Sequence, residues 1–170
     1  MKYVVALCSL LLLSTTASAA DTQCNSKKYH AYVDASLGWY NSLIELTVKK
    51  DPTLADVGQW FLEGRKHHFE LNQAAVDFYL VNDSSHVALE KSVESWLQLD
   101  QKEIKALAER EDDLGEIAKT TFTDRQTKPH QQNYELRSAF ADLLSDPKAI
   151  ETPLNKYNDE ISVISNAVCQ

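Results

Sequence analysis

Residues 51–84, DPTLADVGQWFLEGRKHHFELNQAAVDFYLVNDS, decide the fold. Asp51 is a good helix N-cap, and Pro52 brings the fixed φ favoured at a first helical position. Val57, Phe61, Gly64, His68, Leu71, Ala75 and Phe78 then recur at alternating steps of four and three. That period lays them along one stripe of an α-helix, as in a bundle seam. Asn82-Asp83-Ser84 ends the run with turn-forming residues. The spacing predicts a helix from Pro52 to about Val81.

The same period extends outward. Upstream, Tyr29, Val33, Leu37, Tyr40, Ile44 and Val48 predict a helix over Ser26–Lys50. Lys49 and Lys50 suit its C-terminal end, where the helix dipole is negative. Downstream, Leu89, Val93, Trp96, Asp100, Ile104 and Leu107 predict a third helix starting near Ser85. The turn before it is short, so it is expected to pack antiparallel to the second. Gly115 follows a charge run and predicts a break, with a short segment to Lys119. Thr120–Gln132 is polar, contains Pro129 and is expected to be the longest loop. Tyr134, Phe140, Leu143 and Leu144 anchor a helix over Asn133–Ser145. Leu154, Tyr157, Ile161, Ile164 and Val168 mark a last helix beginning near Pro153.

The expected architecture is all-α: an antiparallel bundle of four main helices plus short helical pieces. Punctuation agrees with it. The 170 residues include only four glycines and four prolines, and three prolines follow a capping residue, in Asp51-Pro52, Asp146-Pro147 and Thr152-Pro153.

Residues 1–19 are read as a signal peptide, leaving 20–170 as a single helical-bundle domain. Lys2 is the positive end, Val4–Leu13 (with Cys8 inside it) the apolar run, and Ala17-Ser18-Ala19 the cleavage site. The run is too short to span a bilayer. The expected location is therefore periplasmic or secreted, with no membrane span. Cys24 and Cys169 remain after cleavage, and an even pair in an exported chain is expected to form a disulfide. It would tie the start of the first helix to the end of the last.

With 44% apolar and 25% charged residues, the composition is that of a globular chain and excludes wholesale disorder. The net charge of −8 excludes nucleic acid as a natural partner and suits a basic protein.

Chemistry concentrates in Glu63-Gly64-Arg65-Lys66-His67-His68-Phe69-Glu70. Glu63 and His67 share a helix face, and His68 falls on the apolar seam one turn from Gly64. Two readings follow. A small ligand, metal or haem could lie beside Gly64, held by His67 or His68. Alternatively, Gly64 lets two helices pack closely and His68 is hydrogen-bonded at the core edge. His30 with Asp34 and His86 with Glu90 have the same i,i+4 spacing, which surface ion pairs explain equally well.

Several site types are missing. There is no paired Glu-x-x-His, no C-x-x-C-H, no G-x-S-x-G, no phosphate-binding glycine loop and no H-E-x-x-H. Met1 is the only methionine. No cofactor is assigned, and catalysis is the less favoured class.

Among the aromatics, Trp39-Tyr40 and Trp60-Phe61 are adjacent pairs that cannot both face one narrow seam. Trp39 and Trp60 are therefore candidates for a partner interface, together with Phe122, which is either a plug onto the bundle or an exposed anchor. The functional expectation is an exported protein-binding module, such as an inhibitor, an immunity-type protein or a chaperone-like factor, acting on another exported protein. The alternative is a bundle that binds a small ligand, metal or haem in the His67/His68 region.

Overall fold

The computed structural model describes residues 14–169, and every regular element among them is helical. The α-helices are α1 (Ser14–Lys50), α2 (Ala55–Asn82), α3 (Gln101–Ala108), α4 (Asp113–Gln126), α5 (Asn133–Leu144) and α6 (Pro147–Asn166). The expected all-α bundle is what the chain forms, with six helices and three short 3₁₀ turns among the described residues.

Helices α1 and α2 form a long antiparallel hairpin. At its bend the Asp51 carboxylate accepts from Thr53 N at 3.0 Å and from Thr53 Oγ1 at 2.6 Å. This caps the 3₁₀ turn Pro52–Leu54 that leads into α2. Near the bend the helices approach closely, because a Cβ on Gly58 would sit 3.0 Å from Ile44 Cγ2. Farther along, Tyr40 meets Phe61 edge-on, and Ser26 and His30 both reach Asp77. The remaining helices pack on this hairpin. Helix α6 returns along α1, with Trp39 against Tyr157 and the Cys24–Cys169 disulfide at the far end. Lys28 Nζ donates to the carbonyls of Ser165 (3.3 Å) and Ala167 (2.7 Å) there. A helix C-terminus leaves such carbonyls without intrahelical partners.

The region expected to be a third helix is different. Residues 83–100 hold only two 3₁₀ turns, Ser84–His86 and Val93–Ser95. Val87, Val93, Trp96 and Leu97 are buried, but as plugs from a folded loop. Trp96 Nε1 donates to Lys91 O at 3.0 Å, Ala88 N donates to Trp96 O at 2.9 Å, and the Trp96 ring stacks on Tyr29. Asp100 is no interruption of a helical face. It is the N-cap of α3, accepting from Lys102 N and Glu103 N while Glu103 Oε2 accepts from Asp100 N. That reciprocal capping box starts the helix at 101. Helix α3 consequently pairs with α4, and it is α4 that lies along α2.

The break near Gly115 lies earlier, at residues 109–112, and Gly115 sits inside α4. Asp112 caps α4 by accepting from Gly115 N. A Cβ at Gly115 would lie 2.2 Å from Arg110 O, so the tight turn requires glycine there. The expected loop 120–132 is also shorter, because α4 continues to Gln126. Thr121 explains the misreading. It is polar yet only 3% exposed, because its Oγ1 donates to His67 O at 2.9 Å.

Helix α5 buries Leu136 and Leu143, with Phe140 half-buried between them, whereas Tyr134 and Leu144 face outward. Helix α6 begins at Pro147, capped by Asp146, and Pro153 lies within it. Val168 lies beyond α6 and is exposed.

Residues 1–13, which carry most of the predicted signal peptide, lie outside the described residues; Ser14–Ala19 belong to α1. No helix among the described residues is long and apolar enough to cross a membrane. That finding and the disulfide are compatible with an exported protein.

The disulfide closes a loop of sequence separation 145. Replacing both cysteines with serine is expected to lower the unfolding free energy by about 2–4 kcal/mol. Denaturant melts measure this, and helical circular dichroism should persist because the three hydrophobic clusters remain.

Candidate functional site

Helix α2 sets Trp60, Gly64 and His68 one turn apart on a single stripe, with Phe61 and Arg65 beside it. Helix α4 contributes Thr121, Asp124 and Arg125, and α5 contributes Asn133 and Arg137. Together they line a cleft of about 350 Å³ between the three helices. Small-molecule sites fall in this size range.

Gly64 forms part of the wall. A Cβ built there meets no atom within 4 Å, so close helix packing does not account for this glycine. The contrast is Gly58 on the same helix, whose space Ile44 fills. A glycine inside a helix costs about 1 kcal/mol relative to alanine. At Gly64 that cost is offset by no packing contact.

Three guanidinium groups surround the gap. Arg65 lies over the rings of Tyr40 (5.5 Å) and Phe61 (5.3 Å). Arg125 donates weakly to His68 Nδ1 at 3.4 Å and to Gln101 Oε1 at 3.5 Å. Arg137 Nε donates to Asn133 Oδ1 at 3.4 Å. Among the described residues none of the three has a carboxylate within 4.0 Å. The chain has only four arginines. The fourth, Arg110, is paired with Asp112.

Two carboxylates also line the cleft, Glu63 and Asp124, and His67 engages both. Its Nδ1 lies 2.6 Å from Asp124 Oδ2 and its Nε2 lies 3.5 Å from Glu63 Oε1. His67 thus acts as a strut between α2 and α4, beside the hydrogen bond that Thr121 Oγ1 donates to the His67 carbonyl. His68 is in a different state. Burial, and then the nearby Arg65 and Arg125 charges, push its pKa down to about 4. The imidazole is therefore neutral at pH 7 and can accept from Arg125 at Nδ1. Its Nε2 lies 3.3 Å from Asn72 Nδ2, while the buried Asn72 Oδ1 has no hydrogen-bond partner. With the amide oxygen turned toward it, a protonated Nε2 donates and both buried groups are satisfied.

Among the described residues no group of three or more His, Cys, Asp or Glu side chains is placed to hold a metal. Both nitrogens of His67 lie near carboxylates, and those of His68 lie near Arg125 and Asn72. The other histidines pair differently from their sequence spacing. His30 meets Asp77 across the hairpin, and His86 meets Asp83 while stacking on Tyr79.

Of the three aromatic candidates, only Trp60 lines the cleft. It is 39% exposed, and its other neighbour is the His130 ring at 5.8 Å. Trp39 is half-buried against Tyr157, and Phe122 is half-buried on α4 against the main core. Sequence reasoning missed Arg65, Arg125 and Arg137 as a set. Their rarity among 17 basic residues was the available signal. No protein-family model matches the chain, and neither a curated protein nor a solved structure is significantly similar to it.

Two outcomes follow. An unfolded histidine titrates near 6.5, so between that pH and about 4 the unfolded chain binds the proton that folded His68 refuses. The stability contributed by neutral His68 is complete above that window and lost as pH falls through it. His68→Gln, which cannot protonate, should lose less melting temperature between pH 7 and pH 4.5 than the natural protein. Phe122→Ala should lower stability by about 2 kcal/mol through lost core contact, read from denaturant midpoints.

Proposed function

We propose that the protein is an exported binding module that holds a small anion in the α2–α4–α5 cleft. One observation carries this reading: three of the four arginines line the cleft, and none has a carboxylate partner. Guanidinium groups are planar, weakly hydrated and forked, which matches carboxylate, phosphate or sulfate oxygens two at a time. In a chain of net charge −8, abundant acidic residues could neutralise them, yet Glu63 and Asp124 are engaged by His67 instead. Asn133 adds an amide to the same wall, whereas the Thr121 and Thr127 hydroxyls there are already donated to the His67 and Thr123 carbonyls.

This favours a small ligand over the protein-binding module expected first. Trp39 and Phe122 are half-buried in the bundle, and Trp60 belongs to the cleft wall. The ligand sits near Gly64 and His68, as the alternative reading expected, but the arginines hold it in place of the histidines. The disulfide and the predicted leader sequence support an extracytoplasmic setting.

Calorimetric titration with inorganic phosphate and with citrate at low salt tests the proposal. Saturable binding is expected for at least one of them. It should weaken about tenfold or more in Arg125→Ala and in Arg137→Ala, the scale of a lost charge-assisted contact. Lys156→Ala, on the far side of the bundle, should bind as the natural protein does. Neither anion binding, or binding indifferent to both arginines, would end the proposal. Without ligand both arginine variants should melt close to the natural protein, because each arginine gives up only long contacts of 3.4–3.5 Å and no ion pair.

A further inference from the structure

We infer that the ligand carries a flat ring next to its anionic group, and that the ring lies over Gly64 against Trp60. This rests on the anion reading above and specifies the kind of anion. Three features of α2 point to it. Gly64 leaves an open gap where a side chain would stand, with nothing within 4 Å of a built Cβ. Trp60 flanks the gap one turn before it and His68 one turn after it. Trp60 keeps 39% of its surface exposed although it is one of the largest apolar groups in the chain.

The polar groups stand where the rest of such a ligand would need them. Arg125 and His68 lie at the far end of the gap, and Arg65 is held over the Phe61 ring, so its guanidinium is oriented before any ligand arrives. A small inorganic anion would leave the Gly64 gap and the Trp60 face wetted. A ring would cover both, and aromatic contact with an indole face strengthens binding beyond simple burial.

The test compares inorganic phosphate, cyclohexyl phosphate and phenyl phosphate by calorimetry and by tryptophan fluorescence. Phenyl phosphate is expected to bind about tenfold more tightly than inorganic phosphate, with cyclohexyl phosphate weaker than phenyl. Phenyl phosphate should also quench a fluorescence component that is missing in Trp60→Leu. In Gly64→Leu, which fills the gap, the phenyl-to-inorganic affinity ratio should fall from about ten to about one. Gly64→Leu should fold, since the added atoms meet open space and leucine favours helix. If it does not, Gly64→Ala titrated with the larger naphthyl phosphate gives the same comparison. Equal affinities for phosphate and phenyl phosphate, or a preference that survives the filled gap, would overturn the ring and leave the anion site standing. Failure of all three phosphates to bind would overturn the ring, and failure of citrate as well would remove the anion site.

Discussion

Ile44 on α1 and Gly58 on α2 set the distance between the two helices on which everything else is mounted. A Cβ at 58 would press on Ile44 Cγ2, which would have to give by a few tenths of an ångström, and larger side chains would press harder on α1. The outer faces of the hairpin carry the other helices. Helix α6 reads one of those faces, through Trp39, Tyr157 and the terminal disulfide. Helix α4 reads the other, through His67, Thr121 and Asp124. Helix α5 closes the bend end, with Phe140 edge-on to Phe61 and Leu136 fully buried. The cleft lies where α2, α4 and α5 meet, with Gly64 in its wall.

The electrostatics of the cleft depend on how the α2–α4 seam is joined. The His67 imidazole lies between Glu63 and Asp124 and draws both carboxylates to the α2–α4 seam. The neighbouring histidine does the opposite, staying neutral amid arginines because it is desolvated. Two consecutive residues of identical chemistry thus take opposite neighbours, His67 the carboxylates and His68 an arginine.

The long helices were legible in the sequence because each has many core contacts at regular spacing. The stripe from Val57 to Phe78 and that from Tyr29 to Val48 are cases of this. Residues 83–100 misled for an equally physical reason. Val93, Trp96 and Ile104 are buried at helix-like intervals, but the burial of Val93 and Trp96 comes from a loop folded onto Tyr29. Periodicity records which residues are buried, not the backbone that buries them. Asp100 and Glu103 carried the corrective signal, a capping box inside the supposed helix. The region after Gly115 misled in the other direction, since a helix anchored by Leu114, Ala118 and Thr121 shows little apolar pattern. At the site, Gly64 and His68 stood out because they break the apolar stripe. The arginines come from α2, α4 and α5, and only the tertiary fold brings them together.

The junction of Cys24, Cys169 and Lys28 has a mechanical consequence. The bridge joins positions whose Cα atoms are 5.6 Å apart, although 145 positions separate them in sequence. Tension arriving along the backbone from either side of the bridge passes through one covalent bond and bypasses the helices in between. Lys28 braces the same spot by holding the last carbonyls of α6 against α1. The bundle is thereby insulated from stretching. Segments attached at either end could be pulled, tethered or threaded while the cleft kept its shape.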